Sequence, residues 1–525
     1  MAGAATSAGW ALGQTAPAGW TQYQGGAAHP GSVADGPAAP FAVDHVTTFS
    51  DLPGGSSETL GLSAPIVSGE TAVVVGPLTV QAVSLGDGGM EWSAPRVFGP
   101  SVPAAIYDPS TDVQSGGATC KPCDPVVVYT EGWGTGPGGA TSSSSPTTSV
   151  RPGPSGEASS SEVSPTPRPS GAQGSSSPSA TDPSATAVPS DVMARNLADG
   201  SRAWDTQLQL KATSRTGVTI DASTAFVGDI RGNVYAIDAS TGKVRWTRNV
   251  GGFLDSPLAA ADGQVLVSVD AYSAESAKLV ALDESTGKVD WVYDTTHPGY
   301  LTSPSIAEGR AFIGVTSGGT VGLVSSLVSV DLTNGTVEWE SLLSAPVTFA
   351  TAPPISGDRV FIEDTSGDVF AFDRASGDRA WLFATNKSFV HGAPLVVGEQ
   401  ILIPNSGATL IVLDAASGHQ VFTSADVGGP LRYPAPVGTD RVIFIRGGSE
   451  PGIVTFITDP NGAALTDVPS PTTADYGKIL SNFAVAALGL TLLSLLVFRP
   501  VARRMGPAFF VEGDEAAELT AGEDL

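Results

Sequence analysis

Val234-Tyr235-Ala236-Ile237-Asp238-Ala239-Ser240-Thr241-Gly242-Lys243-Val244-Arg245-Trp246 reads as a short strand, a tight turn and a second strand that ends on tryptophan. Val234, Ala236 and Asp238 fall on one side of a period-2 pattern and Tyr235 and Ile237 on the other, as in a strand buried on both faces. Asp238-x-x-Thr241-Gly242 supplies the turn, with the aspartate able to cap backbone N–H groups and the glycine free to take positive φ. The unit is a β-hairpin.

The same thirteen-residue frame returns along the chain. It occupies residues 80–92, 192–204, 279–291, 327–339, 369–381 and 410–422, and a fainter copy runs over 454–466. Aspartate holds the fifth place at Asp238, Asp283, Asp331, Asp373 and Asp414, glycine the ninth at Gly242, Gly287, Gly335, Gly377 and Gly418; Ser84 replaces the aspartate in the first copy. The copies follow one another at intervals of 41 to 48 residues, except for one interval of 112. Upstream of the frame each unit holds two further strand candidates, as at residues 255–259 and 264–269, or 352–355 and 359–362. Four short strands at that period form a unit that cannot bury its faces alone, which is the signature of a propeller blade. The expectation is an all-β fold, an eight-bladed β-propeller over residues 19–466.

The long interval has a simple cause. Residues 132–190 are almost wholly Ser, Thr, Pro, Gly and Ala, too poor in apolar surface to offset the entropy of ordering. They read as a disordered insertion inside the second unit, either an O-glycosylated spacer or unmodified chain. Residues 1–18 lack a basic region and an apolar run and read as a disordered N-terminus, with an unseen longer leader as the alternative.

Past the last unit, residues 467–478 form a Pro/Thr linker and 479–498 an uncharged apolar run, the length needed for a helix to cross the hydrocarbon of a bilayer. Arg499, Arg503 and Arg504 follow it, so the positive-inside rule puts the acidic tail, 499–525, in the cytoplasm and the propeller outside a plasma membrane crossed once. Net charge is −26 and the pI about 4.4, which sets the chain against a nucleic-acid partner.

The repeat Val-Tyr-Ala-Ile-Asp-Ala-Ser-Thr-Gly-Lys-Val-Arg-Trp resembles the pyrroloquinoline-quinone (PQQ) type propeller repeat. That repeat is shared by quinoprotein alcohol and glucose dehydrogenases and by the non-enzymatic outer-membrane assembly factors (BamB-like proteins). The resemblance covers about residues 63–466 apart from the insertion. It implies that Trp92, Trp204, Trp246, Trp291, Trp339 and Trp381 dock between adjacent blades, while Phe422 and Thr466 depart from the pattern. It also implies that Trp20-Thr21-Gln22-Tyr23 opens the domain and that part of residues 19–62 pairs with the last blade to close the ring.

The two branches differ in chemistry. A quinoprotein dehydrogenase needs an oxygen cage for Ca²⁺ and a carboxylate base, and such members carry a disulfide between adjacent cysteines. Here the two cysteines, Cys120 and Cys123, are three apart in a Gly/Asp-rich loop. They read as a local disulfide rather than an oxidoreductase centre. Asp229, Asp270, Glu363 and Asp364 are candidates for lining the channel, although Asp229-x-x-Gly232 and Asp364-x-x-Gly367 also look like hairpin turns. The five histidines, His29, His45, His297, His391 and His419, have no metal-ligand spacing. No residue is assigned to catalysis or to a metal. The expected function is a membrane-anchored scaffold that binds or assembles protein partners without a cofactor. The alternatives are a membrane-bound dehydrogenase using PQQ and Ca²⁺, or a sensor that relays an outside ligand to the tail.

Overall fold

A computed structural model describes residues 19–49, 61–111, 124–133, 190–204, 208–271, 275–319, 322–347, 351–387 and 392–462. Eight antiparallel sheets follow one another around a ring, each stepping outward from its first strand to its fourth. Blade 3 is representative, with Val218–Asp221, Thr224–Gly228, Asn233–Asp238 and Val244–Asn249 in that order. The opening hairpin is thus the outer half of a blade. Its turn closes through Gly242 N–H donating to Asp238 O at 2.8 Å. Pairing shifts by one residue between Ala236 and Ile237, which leaves Arg245 as the extra residue of a bulge beside Trp246.

Alternation along each strand decides the packing. Tyr235 and Ile237 join blade 2 in one apolar cluster, whereas Val234 and Ala236 join Leu258, Val265 and Val267 of blade 4 in another. Every blade is therefore sandwiched, and its faces are covered only by neighbours. A fully buried side chain of the size of Val, Ile or Phe contributes about 1.5–3 kcal/mol in this setting, so a blade taken alone would forfeit most of its stability.

The inner strands start later than the sequence pattern suggests. In blade 4 the first strand is Ala259–Ala261, not residues 255–259, and in blade 6 it is Ile355–Ser356, not 352–355. Pro257, Pro353 and Pro354 stand ahead of these strands, because proline cannot donate to a ladder.

In blade 2, Val126–Glu131 pairs directly with Ser190–Asn196, Glu131 facing Asp191. In blade 8 the inner three strands are Leu431–Val437, Arg441–Arg446 and Gly452–Thr458, and the fourth is Phe41–Thr48 from the other end of the chain. The ring closes on that antiparallel pairing. The structure thereby fills the outer position of blade 8 with residues far from 463–466, where the fainter copy of the frame ends.

Among the described residues no helix is long and apolar enough to cross a membrane. The expected spanning segment 479–498, its flanks 467–478 and 499–525, residues 1–18, the body of the insertion, Cys120, Cys123 and His391 all lie outside the described residues.

Candidate functional site

Six tryptophans share one environment. Each indole N–H donates to a backbone oxygen of the next blade, at 2.7–3.1 Å: Trp92 to Leu197, Trp204 to Ala239, Trp246 to Glu284, Trp291 to Leu332, Trp339 to Arg374 and Trp381 to Ala415. Each ring also lies over the turn glycine of that next blade. A Cβ on Gly287 would come within 2.5 Å of the Trp246 ring, and Gly287 has φ +66°. The turn glycine answers two demands at once, a left-handed backbone and a flat seat for an indole. These tryptophans are spread around the ring and share no site.

The axis is where separate blades converge, and it is occupied by the chain itself. Gly19–Trp20 pairs antiparallel with Val67 and Ser68 of blade 1. Ile106 of blade 2 donates its N–H to Thr21 O at 2.7 Å. The Gln22 amide reads both backbone groups of Ile220 in blade 3, accepting from its N–H at 2.8 Å and donating to its oxygen at 2.9 Å. Ala260 of blade 4, Ile306 of blade 5 and Ile355 of blade 6 donate to Ala27, Ala28 and Pro30, each at 2.8 Å. Val396 of blade 7 donates to Gly31 at 3.0 Å, and Ser32–Val33 adds there as a parallel strand. Residues 19–33 visit seven blades in order.

All seven contacts fall at one register. Val67, Ile106, Ile220, Ala260, Ile306, Ile355 and Val396 each face the corresponding residue of the second strand, namely Ala72, Val127, Ala225, Val265, Ala311, Val360 and Ile401. In blade 8 that position is Pro436, opposite Val442. Proline has no N–H to give, and this is the blade the segment omits.

At the centre of the segment Tyr23 packs against Ala64, Ala352 and Tyr433, from blades 1, 6 and 8. Burial drives its phenol well above the ordinary range, with Tyr433 adding to the shift. His29 stands edge-on to Tyr23, ring centroids 5.1 Å apart, and its Nδ1 lies 3.0 Å from Pro304 O and 3.1 Å from Ser303 Oγ. Burial pushes the imidazole down to about 4, against the opposing effect of the Pro304 contact, so His29 is neutral near pH 7.

The four carboxylates singled out in the sequence are buried within blades. Asp229 accepts from Asn233 Nδ2 at 3.0 Å and Tyr235 OH at 2.9 Å, and closes its turn through Gly232 N–H. Asp270 accepts from Leu301 N–H at 3.0 Å. Asp364 caps Ser366 N–H at 2.9 Å and is raised to about 6, first by burial and then by Asp368. Glu363, 1% exposed, has no hydrogen-bond partner on either oxygen, and burial together with Asp364 and Asp368 raises it far above the ordinary carboxylate range. The remaining histidines are dispersed: His45 lies on the closing strand and His297 and His419 are surface residues. Among the described residues no three His, Cys, Asp or Glu side chains converge as a metal cage. Among the described residues this donor set does not fit a quinone with its calcium ion.

A closed ring of eight four-stranded blades, wedged by tryptophan and threaded at its axis by its own N-terminal segment, defines the class: an eight-bladed β-propeller of tryptophan-docking type. Two overlapping stretches, residues 189–348 and 324–478, match the family described as outer membrane protein assembly factor BamB. Together they exceed half of the chain, and the chain belongs to this PQQ-type, BamB-like propeller family. It is 28% identical over 213 residues to the outer membrane protein assembly factor BamB of Yersinia pestis, covering 36% of this chain and 51% of that protein. It is 27% identical over 262 residues to the serine/threonine-protein kinase AfsK of Streptomyces griseus, covering 47% and 31%. The chain thus spans about half the length of the first of these relatives and less of the second. The computationally designed Ika8 protein has a similar fold, with a TM-score of 0.50 at 10% identity over 77% of this chain and 98% of that one.

Sequence reasoning did not find the axial segment. Its signals were present in Gly25, Gly26, Pro30 and Gly31, a density of turn residues that reads as a linker. What distinguishes it from a linker is the ring of inner-strand donors, and those become visible only once the blades are assembled.

Proposed function

We propose that this protein is a non-enzymatic propeller scaffold that binds or assembles protein partners, held at a membrane by residues 479–498 with the propeller outside and the tail, 499–525, inside. The observation that carries the reading is the axial segment. With Tyr23 and His29 packed where the blades converge, the central space is taken up by protein, and partner contacts fall to the turns and blade edges of the outer surface. The similarity to outer membrane protein assembly factors supports the same reading. Residues 132–190 then serve as a spacer leaving blade 2.

In-cell crosslinking of the full chain should capture one or more stoichiometric protein partners from the extracytoplasmic side. Incubation with PQQ and Ca²⁺ should give no dye reduction with alcohols or sugars; reduction would replace the scaffold by a dehydrogenase. Protease added to intact cells should cut near Ser160, and protection there would reverse the orientation.

A further inference from the structure

We propose that the axial channel is a binding site for a glycine-containing peptide that turns around the axis, and that residues 19–33 occupy it in cis. Seven inner strands present one backbone N–H or strand edge at the same register, and those groups face the axis instead of a neighbouring strand of their own blade. A buried N–H without an acceptor is costly, so a ring of them specifies an occupant that carries a carbonyl or amide oxygen at each step. Main-chain pairing of this kind provides affinity, and side-chain pockets provide selectivity.

The selective positions can be read from the occupant. Trp20 is buried in the cluster that joins blades 7, 8 and 1. Gln22 substitutes its side-chain amide for a backbone unit at blade 3. Gly25 lies under the Trp20 ring with φ +83°, where a Cβ would come within 2.5 Å of the indole. Gly31 has φ +60°, and a Cβ there would meet Gln24 and Pro354. The ligand is therefore a peptide with an aromatic anchor, an amide two residues later and glycine at two of its four left-handed positions, those of Gly25 and Gly31. The segment leaves the channel through Ala34 and Asp35, both exposed, before the chain continues to the closing strand. Occupancy in cis is thus a matter of connection through one surface turn. The inference shares its observation, the filled axis, with the scaffold reading, but its test reads peptide exchange at the axis and not partner capture at the outer surface, so the two can fail separately.

The test uses the full chain with a protease recognition sequence inserted between Ala34 and Asp35. After cleavage the N-terminal piece should stay bound through gel filtration, and excess labelled peptide of residues 19–34 should exchange into the channel. A Gln22→Ala peptide should bind at least about tenfold more weakly, since it loses two hydrogen bonds. Release of the piece without uptake of the labelled peptide by a chain that keeps its far-UV spectrum would overturn the proposal, as would equal uptake of the two peptides. If the cleaved chain unfolds, it is refolded with either peptide in excess. A refolding yield that rises saturably with the native peptide and less with the Gln22→Ala peptide upholds the site, and a yield indifferent to peptide sequence refutes it.

Discussion

At the joint between blades 3 and 4, the Trp246 ring covers Gly287 and its N–H donates to Glu284 O at 2.8 Å. At the joint between blades 8 and 1, the matching glycine, Gly88, faces His45 and Thr47 of the closing strand. The carbonyl there that corresponds to Glu284 O is Leu85 O, which accepts from Arg441 Nη1 at 2.8 Å. Arg441 also pairs with Glu70, and Thr47 Oγ1 donates to Gly88 O at 3.1 Å. An apolar cluster runs through both joints, but at the turn one is sealed by a fixed indole and the other by long, adjustable polar side chains. The difference follows from what fills the outer position: blades 3 and 4 are consecutive copies of one unit, whereas the strand that faces Gly88, Phe41–Thr48, is not a copy of the frame.

This contrast predicts unequal costs for removing equivalent groups. Trp291→Ala, within the regular array, should destabilise by about 3–5 kcal/mol, the range for deleting a large aromatic from a core. His45→Ala, in the matching slot of the closing joint, should cost no more than about 1 kcal/mol, because exposed polar contacts contribute little. Urea midpoints for the two variants measure this directly. Similar losses would mean that the closing joint is as tightly packed as the others.

The glycines sharpen the same point at smaller scale. Gly287→Ala places a methyl against a fixed indole and keeps φ near +66°, so about 2–4 kcal/mol is expected from left-handed strain plus overpacking. At Gly88 the atoms that a Cβ would meet are the ends of the Thr47 and His45 side chains, 2.7 and 2.8 Å away. These can yield, and the loss should fall to about 1 kcal/mol, the backbone cost alone. A larger loss at Gly88 than at Gly287 would reverse the assignment of rigid and adjustable joints.

The blades were legible in the sequence for the reason the joints between them are alike. Val234, Ala236, Tyr235 and Ile237 alternate because both faces are covered, and Gly242 recurs because Trp204 needs a seat without a Cβ. Closure by residues from the N-terminal side was legible only through the family resemblance, since Phe41–Thr48 carries neither the turn nor the tryptophan. The axial segment was opaque. Its contacts use backbone oxygens of Thr21, Ala27, Ala28, Pro30 and Gly31, and a carbonyl is the one group that every residue type supplies equally. Glu363, a candidate channel residue on sequence, stands opposite Val369 at the register of Gly228 and Gly314 in their blades, inside the sandwich.

That last equivalence gives a pH prediction. Blades 3 and 5 hold glycine where blade 6 holds a carboxyl with no partner. Burial raises Glu363 far above the ordinary carboxylate range, so its contribution is complete below the unfolded-state value and is lost as pH rises toward the folded one. Glu363→Gln removes the ionisation and should flatten the fall in thermal stability between pH 5 and pH 8, gaining on the order of 1 kcal/mol at the upper end. A stability profile unchanged by the substitution would show that Glu363 titrates alike in the folded and unfolded chains, which would overturn the effect of burial.

The smallest effect is expected on the face where turns of neighbouring blades meet. Between blades 5 and 6, Arg374 Nη2 donates to Glu308 at 2.6 Å, a pair of opposite charges. Between blades 3 and 4 the residue matching Arg374 is Glu284, and the acid it meets is Asp221, one place before the position of Glu308, so the pair is two acids. Burial, then the charge of Asp221 and the hydrogen bond between the two carboxyls, raises Glu284 to about 7. The proton shared in that bond stabilises the joint fully below the unfolded-state value near 4.5, and the contribution is lost as pH rises through about 7. Glu284→Gln keeps a donor toward Asp221 and removes the titration. Its thermal midpoint should therefore match that of the parent chain near pH 5 and exceed it slightly near pH 8, by a few tenths of a kcal/mol at most, since both side chains are partly solvated. Added salt should narrow the gap at pH 8, because what remains there is repulsion between two partly exposed anions. Arg374→Gln, at the joint with opposite charges, should respond in the other direction, losing stability near pH 8. If both variants shifted the same way at pH 8, the charge pairing of these turns would not distinguish one joint from another.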